Sequence, residues 1–232
     1  MIFSNNNTQI FFAHIPRTGG CYTSELLKQN NYVMYPDPIV VRNGVTVRHY
    51  HREIFIEHSK FWPYDVSLMK QFTIVRDPVE KFTSAYSYVK SRLSDLEIEN
   101  LYDEKEFFKI MYLLLKRSHF EPEVDDPKTV CGFQRDYSNW CRPQHEFITD
   151  EMFVWKYEDG LSDDFYSWLH TNLGIEIKNV VDRDWDKLDP YNAHNESKII
   201  MGEYELPEPI VQNVQKFYSK DFECFRYSKK DK

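Results

Sequence analysis

The chain has 232 residues, 41 % of them hydrophobic and 16 % aromatic, with 37 acidic and 29 basic side chains for a formal net charge of −8. That apolar fraction can fill a core, which excludes a disordered chain, and no apolar run approaches the roughly 18 residues of a membrane-spanning helix. The acidic balance disfavours a nucleic-acid binder that relies on counterion release.

The chain begins MIFSNNNTQIFFAHI, without the basic start and long apolar stretch of a secretion signal, so a cytoplasmic protein is expected. The first apolar run, 10–15, is short and β-prone and ends at Pro16 and the pair Gly19-Gly20; it reads as a buried strand. Residues 21–29 follow with Leu26 and Leu27 on a helical period. A short strand is expected over Val45–Arg48 and a short helix over 50–59. Gln71–Arg76 is a second strand, after which Asp77 stands as a helix N-cap with Pro78 at the first helical position, where its missing N–H costs nothing. Phe82, Tyr86 and Val89 give that helix one apolar face. Residues 104–117 read as a helix with acids at its start and bases at its end, and Met152–Tyr157 as a strand. Ser162 caps the next helix, Gly174 ends it, and a last helix covers about 207–219. The alternation indicates one α/β domain over 1–232, with a central, mainly parallel sheet flanked by helices. Ligands of such sheets bind at the carboxyl ends of the strands, which puts Pro16–Gly20 and Arg76–Asp77 on one edge.

Charge and cysteine refine this. Residues 1–92 carry 11 basic and 7 acidic side chains, net +4, so a local positive site is available for a small anion. The four cysteines, Cys21, Cys131, Cys141 and Cys224, form no CxxC and no metal-ligand spacing, so reduced thiols and no metal are expected; Cys131 and Cys141 are the one pair placed to form a disulfide. The loop from His14 to Ser24 joins a strand to a helix. Glycines there allow a tight turn with successive N–H groups pointing inward, and the helix start and Arg17 add positive charge, which suits phosphate or a similar oxyanion. A plain strand-to-helix turn, with glycines only for positive φ, explains the same residues. The GxxxxGK[ST] spacing of a nucleotide P-loop and the GxGxxG of a dinucleotide site are both absent.

His14-Ile-Pro-Arg-Thr-Gly-Gly20 resembles the H-x-P-K-T-G-G-T loop of sulfotransferases that use 3′-phosphoadenosine 5′-phosphosulfate (PAPS), most of all the carbohydrate type related to heparan and uronyl sulfotransferases. The segment from Ile74 to Tyr88 resembles their V-R-D-P-x-x-R-x-x-S-x-Y motif, Tyr157-Glu158-Asp159 their Y-E-D-L strand end, and Tyr218 to Tyr227 their C-terminal Y-x-x-D-F-E-x-F-x-Y. The resemblance implies a P-loop-like three-layer fold, PAPS as co-substrate and no obligatory metal. It implies that the backbone of Thr18, Gly19, Gly20, Cys21 and Tyr22, with the side chains of Arg17, Thr18 and Thr23, holds the 5′-phosphosulfate. Arg76 and Ser84 would bind the 3′-phosphate. Arg17 stands where lysine is commoner and Cys21 where threonine or serine is frequent. Lys198, in an H-N-E-S-K stretch like the family's nucleotide-closing loop, would add charge.

An acceptor hydroxyl needs a base, and histidine has the right range. His49 and His51 fall where carbohydrate sulfotransferases of this type carry a catalytic histidine; the choice between them stays open, and Glu53 is an alternative. His14 reads as loop support. Gln144 is a weak acceptor-contact residue, with Trp140 and Phe147 near it as sugar-stacking aromatics. The reading is a sulfotransferase acting on a small-molecule or glycan hydroxyl, without nucleic acid or membrane span. A kinase-like phosphotransferase and a non-catalytic adenosine-phosphate binder are the alternatives. The loops over 93–150 would meet the acceptor.

Overall fold

In this computed structural model the structure describes residues 1–5, 8–35, 41–42, 45–46, 49, 65–95, 140–180 and 206–229, with side chains between 41 and 46 and from 87 to 95 left aside. Its strands are β1 (Ile2–Ser4), β2 (Gln9–Ala13), β3 (Val33–Tyr35), β4 (Val41–Arg42), β5 (Val45–Thr46), β6 (Lys70–Val75) and β7 (Phe153–Lys156). Its helices are α1 (Gly20–Gln29), α2 (Pro78–Asp95), α3 (Asp163–Leu173), α4 (Glu208–Phe217) and α5 (Ser219–Phe225).

The main sheet among the described residues has the order β3-β1-β2-β6-β7. β2, β6 and β7 pair in parallel, while β1 runs antiparallel to both β2 and β3. β3 therefore points the same way as β2, and β1 alone runs against the rest. This is a mixed α/β architecture with a mostly parallel sheet, as the alternation of strands and helices indicates. Val45–Thr46 is a strand, but it pairs with Val41–Arg42 in a separate two-stranded ribbon outside the main sheet. The expected helices over 50–59 and 104–117 lie outside the described residues.

Period-two alternation assigns the faces of the sheet. Ile10 and Phe12 of β2 and Phe72 and Ile74 of β6 join a core with Leu26 and Leu27 of α1 and Phe165, Leu169 and Leu173 of α3. Phe11 and Ala13 face the other side with Ile2, Val66 and Met69. Phe12 and Phe72 sit in register on the two central strands, their rings stacked with centroids 4.6 Å apart. Each is fully buried, worth about 1.5–3 kcal/mol apiece. A third cluster, built from Phe82, Ala85 and Tyr86 of α2 with Trp140, Cys141, Val214, Tyr218 and Phe222, anchors the C-terminal helices beside α2.

Helix ends follow local chemistry in two cases out of three. Asp77 Oδ1 accepts from the N–H groups of Val79 (2.9 Å) and Glu80 (3.1 Å), as an N-cap should. Gly174 closes α3 at φ 75°. Ser162 occupies the N-cap position of α3, but its side chain makes no capping bond; the Asp163 and Asp164 carboxylates in the first turn complement the helix dipole instead. The last expected helix, about 207–219, is α4, and a further helix, α5, follows it directly. Tyr218 separates them at φ −92°, ψ 21°, and its hydroxyl donates to the Cys141 carbonyl. Cys141 is a buried free thiol, and Cys131, its expected disulfide partner, lies outside the described residues. Among the described residues no helix is long and apolar enough to cross a membrane.

Candidate active site

Three parallel strands, β2, β6 and β7, end on one edge of the sheet. Their carboxyl ends deliver the loop 14–19, the pair Arg76-Asp77 and the turn Tyr157–Asp159 to the same place. The two segments expected there from the sequence are brought together, and the third joins them.

The loop after β2 is fixed from beneath. His14, buried and stacked on Phe12 with ring centroids 5.7 Å apart, lies directly under Gly20. A Cβ on Gly20 would collide with Cδ2 and Nε2 of the His14 ring and lie 2.7 Å from its Cγ. Gly19 caps α1 at φ 87°, and a Cβ there would stand 2.7 Å from Leu161 Cδ1 and 3.1 Å from the Tyr157 ring. The glycine pair therefore answers to packing against His14 and Tyr157 as well as to the turn. Thr18 Oγ1 donates to Ile15 O (2.9 Å), Thr23 Oγ1 to Gly19 O (3.2 Å) and Ser24 Oγ to Gly20 O (2.8 Å). The hydroxyl protons of Thr18 and Thr23 thus hold the loop's shape. Tyr22 directs its hydroxyl to that of Tyr166 on α3, away from the loop. Cys21 is half-buried at the start of α1 and forms no disulfide. The amides of the first α1 turn have no carbonyl four residues back in the helix, and they point along its positive end.

Arg17 adopts a left-handed backbone conformation, φ 69°, and its side chain crosses to α2. Its Nε and Nη2 donate to Ser84 Oγ at 3.0 and 2.9 Å. Arg76 is held differently. Its guanidinium lies over the Tyr157 ring, 4.8 Å from the centroid; Nη1 donates to Arg17 O at 3.5 Å, and Nη2 is 3.7 Å from Glu80 Oε2. Arg17, not Arg76, is therefore the arginine bonded to Ser84.

Gln144 is fully buried and its amide is committed to the Arg76 peptide: Oε1 accepts from Arg76 N (2.9 Å) and Nε2 donates to Arg76 O (2.7 Å). This corrects the expectation that Gln144 touches an acceptor. Trp140 and Phe147 are likewise buried in the core, where no sugar can stack on them. Asp221 of α5, also fully buried, accepts from Gln144 N (2.8 Å) and His145 N (3.0 Å), with His145 Nδ1 at 2.6 Å from Oδ1. Glu158 accepts from Asp77 N (2.7 Å) and from the Tyr227 hydroxyl (2.8 Å). Burial and the neighbouring Glu158 carboxylate push the Tyr227 phenol well above its ordinary range. Burial raises the Asp77 carboxyl, opposed by its two capping bonds and assisted by Glu158 and Glu80. Lys81, one turn into α2, is buried with its ammonium donating to Trp140 O (2.7 Å) and Arg142 O (3.0 Å); burial lowers its pKa to about 8.

All four sequence motifs therefore meet in one bonded network. The sequence model of the sulfotransferase family matches residues 1–228, a span that contains every part of this network. The chain belongs to the sulfotransferase family. Its members transfer sulfuryl groups, so the edge of the sheet is where that transfer is to be sought. No curated protein and no solved structure matches the chain significantly.

Of the two expected bases, His49 is described. Its buried ring meets that of His14 edge-on at 4.9 Å and that of Trp140 at 6.2 Å, so this sulfotransferase places His49 next to the ring that supports the anion loop. His51, Glu53 and Lys198 lie outside the described residues. The roles of Tyr157, Glu158, Asp221 and His145 were not assigned from sequence. The first three lie inside recognised motifs, which was the available signal; His145 carries none beyond its place beside Gln144. Among the described residues no group of three or more His, Cys, Asp or Glu side chains is arranged to hold a metal.

Proposed function

We propose that this sulfotransferase moves the sulfuryl group of PAPS to a hydroxyl of a carbohydrate, as one domain over 1–232 on a P-loop-like three-layer fold, with no metal required. The observation that carries this is the junction of the loop 14–23 with Arg76 and Ser84 at the ends of adjacent parallel strands, linked through Arg17. Two arginines, a helix start and a tight loop facing one place suit a ligand with more than one anionic group.

When bound, the donor supplies the sulfuryl group. The chain's residues then have separate tasks. Backbone amides of Thr18, Gly19, Gly20, Cys21 and Tyr22 and the positive end of α1 offset the charge that builds on the leaving phosphate oxygen. Thr23 keeps that turn in shape. Arg17, Arg76, Ser84 and Lys198 bind the nucleotide phosphates. His49 or His51 takes the proton of the acceptor hydroxyl. His14 and Gln144 position the loop and the Arg76 peptide without touching substrate.

The deciding experiment is transfer of labelled sulfate from PAPS to a panel of glycans. Product on any glycan supports the proposal, and its loss on His49→Ala or His51→Ala with nucleotide affinity retained identifies the base. Binding without transfer to any acceptor would support a non-catalytic role. A thermal shift with ATP–Mg but none with adenosine 3′,5′-bisphosphate would refute the donor assignment.

A further inference from the structure

We infer that His145 is a positioning residue of the donor site: through Asp221 and Gln144 it holds the Arg76 peptide in the orientation that presents Arg76 to the nucleotide. The inference rests on the donor proposed above and adds a residue that no sequence motif marks.

The contacts start from a turn too short to hold its own place. Gln144–Phe147 is a single 3-10 turn of four residues, and Pro143 before it supplies no side-chain cap. Such a turn leaves its first N–H groups without partners inside it. A carboxylate from α5 takes both: Asp221 Oδ2 accepts from Gln144 N at 2.8 Å and Oδ1 from His145 N at 3.0 Å. Phe147 seats the turn against Ile15 of the donor loop and Val75 at the end of β6.

Asp221 is fully buried, so its charge depends on the donors around it. The His145 ring is the third. Two amides already point at the carboxylate, so it acts as acceptor and Nδ1 carries the proton, 2.6 Å from Oδ1. Lys81 interacts with the same carboxylate through its charge, but its ammonium makes its hydrogen bonds to the carbonyls of Trp140 and Arg142. Removing the ring takes one of three donors from a desolvated carboxylate, which is costly. The carboxylate then shifts toward other donors and takes Gln144 N with it.

The other end of Gln144 lies in the site. Its Oε1 and Nε2 bind N and O of one residue, Arg76, just past the last ladder pair of β6, Val75 with Lys156. The amide stands there in place of a neighbouring strand. A displacement of about 1 Å takes bonds of 2.9 and 2.7 Å out of range and frees the Arg76 peptide to turn. The guanidinium, now laid over the Tyr157 ring, turns with it.

The test is calorimetric titration of the full chain with adenosine 3′,5′-bisphosphate, beside urea denaturation of the same variants. His145→Ala should bind about fivefold or more weakly, as expected when one bond to a buried charge is lost. His145→Asn should bind within about twofold of wild type, because its amide nitrogen is attached to Cγ as Nδ1 is. His145→Phe fills the space without an N–H and should bind as weakly as the alanine variant; it serves should His145→Ala prove unfolded by circular dichroism. In an Arg76→Ala chain, His145→Ala should cost less than about twofold in affinity yet still lower the denaturation midpoint, because the route to the ligand is already cut. An equal loss of affinity with and without Arg76, an asparagine variant no better than alanine, or His145→Ala binding like wild type would overturn the inference and leave the donor reading standing. A wild-type chain that does not bind the bisphosphate, or an Arg76→Ala chain that binds it as tightly as wild type, would refute the donor reading and the inference with it.

Discussion

Gly20→Ala separates the two reasons a glycine can sit in the anion loop. Gly20 has no positive φ, unlike Gly19, so conformation alone does not demand glycine there. Space does: the new Cβ would overlap the His14 ring, which is buried and stacked on Phe12 and so has nowhere to go. Overpacking a close-packed site costs about 1–3 kcal/mol, and alanine returns at most ~1 kcal/mol of helix propensity. We expect a net loss of about 2 kcal/mol and a melting temperature lower by about 4–8 °C for a chain of this size. Gly174→Ala is the control, with φ +75° and nothing within 4 Å of the added carbon; strain alone should cost about 1 kcal/mol. Urea denaturation of Gly20→Ala, His14→Ala and the double variant completes a cycle in which the two changes should couple by more than about 1 kcal/mol in the favourable direction. A Gly20→Ala protein that melts with wild type, or a cycle that is simply additive, would refute the placement of His14 under the loop.

Three further outcomes follow from the same geometry. Lys81 titrates near 8 folded against ~10.4 unfolded, so the unfolded chain holds more protons between those values. Wild-type stability relative to Lys81→Met should therefore rise with pH across that window, by an amount on the order of 3 kcal/mol; a flat or falling difference in denaturation midpoints would contradict the burial of the ammonium among Cys141, Asp221 and Glu146. Asp221→Asn places an NH2 group among donors it cannot accept from, and should cost about 2 kcal/mol or more in denaturant while weakening nucleotide binding through Gln144 and Arg76. Alkylation followed by mass spectrometry should label exposed Cys224 in the folded protein and spare Cys141, whose thiol burial pushes up to about 12. Cys21 should be labelled more slowly once adenosine 3′,5′-bisphosphate is present, if it lies in the donor loop.

What was legible in the sequence was local. Each strand–loop–helix unit carries its own apolar run, breaker and cap, so β2 with α1, β6 with α2, and β7 with α3 could be read along the chain, and the rule for parallel sheets put two loops on one edge. Ile2–Ser4 is too short for alternation to show, and although β2 follows it directly, its place between β2 and β3 depends on pairing Ile2 with Tyr35 and Ser4 with Val33, well along the chain. The break at Tyr218 is invisible to helical periodicity because it is set by burial of its ring and by the Cys141 carbonyl, 77 residues upstream. The site divides in the same way. Arg17 and Ser84 were each legible as ligand-binding types, but their direct contact was not. Gln144 looked like a polar residue near aromatics; only the fold turns its amide toward Arg76.

The clamp from Asp221 through Gln144 to Arg76, with Glu158 held by Tyr227, has a consequence in time. Translation delivers the loop 14–23 long before α5, so a chain still short of residue 227 has its two arginines but not the groups that hold Arg76 and Asp77 in place. Nucleotide affinity should therefore arrive only once residue 227 has been made. Nascent chains stalled before residue 221 should bind adenosine 3′,5′-bisphosphate far more weakly than chains extended past residue 227.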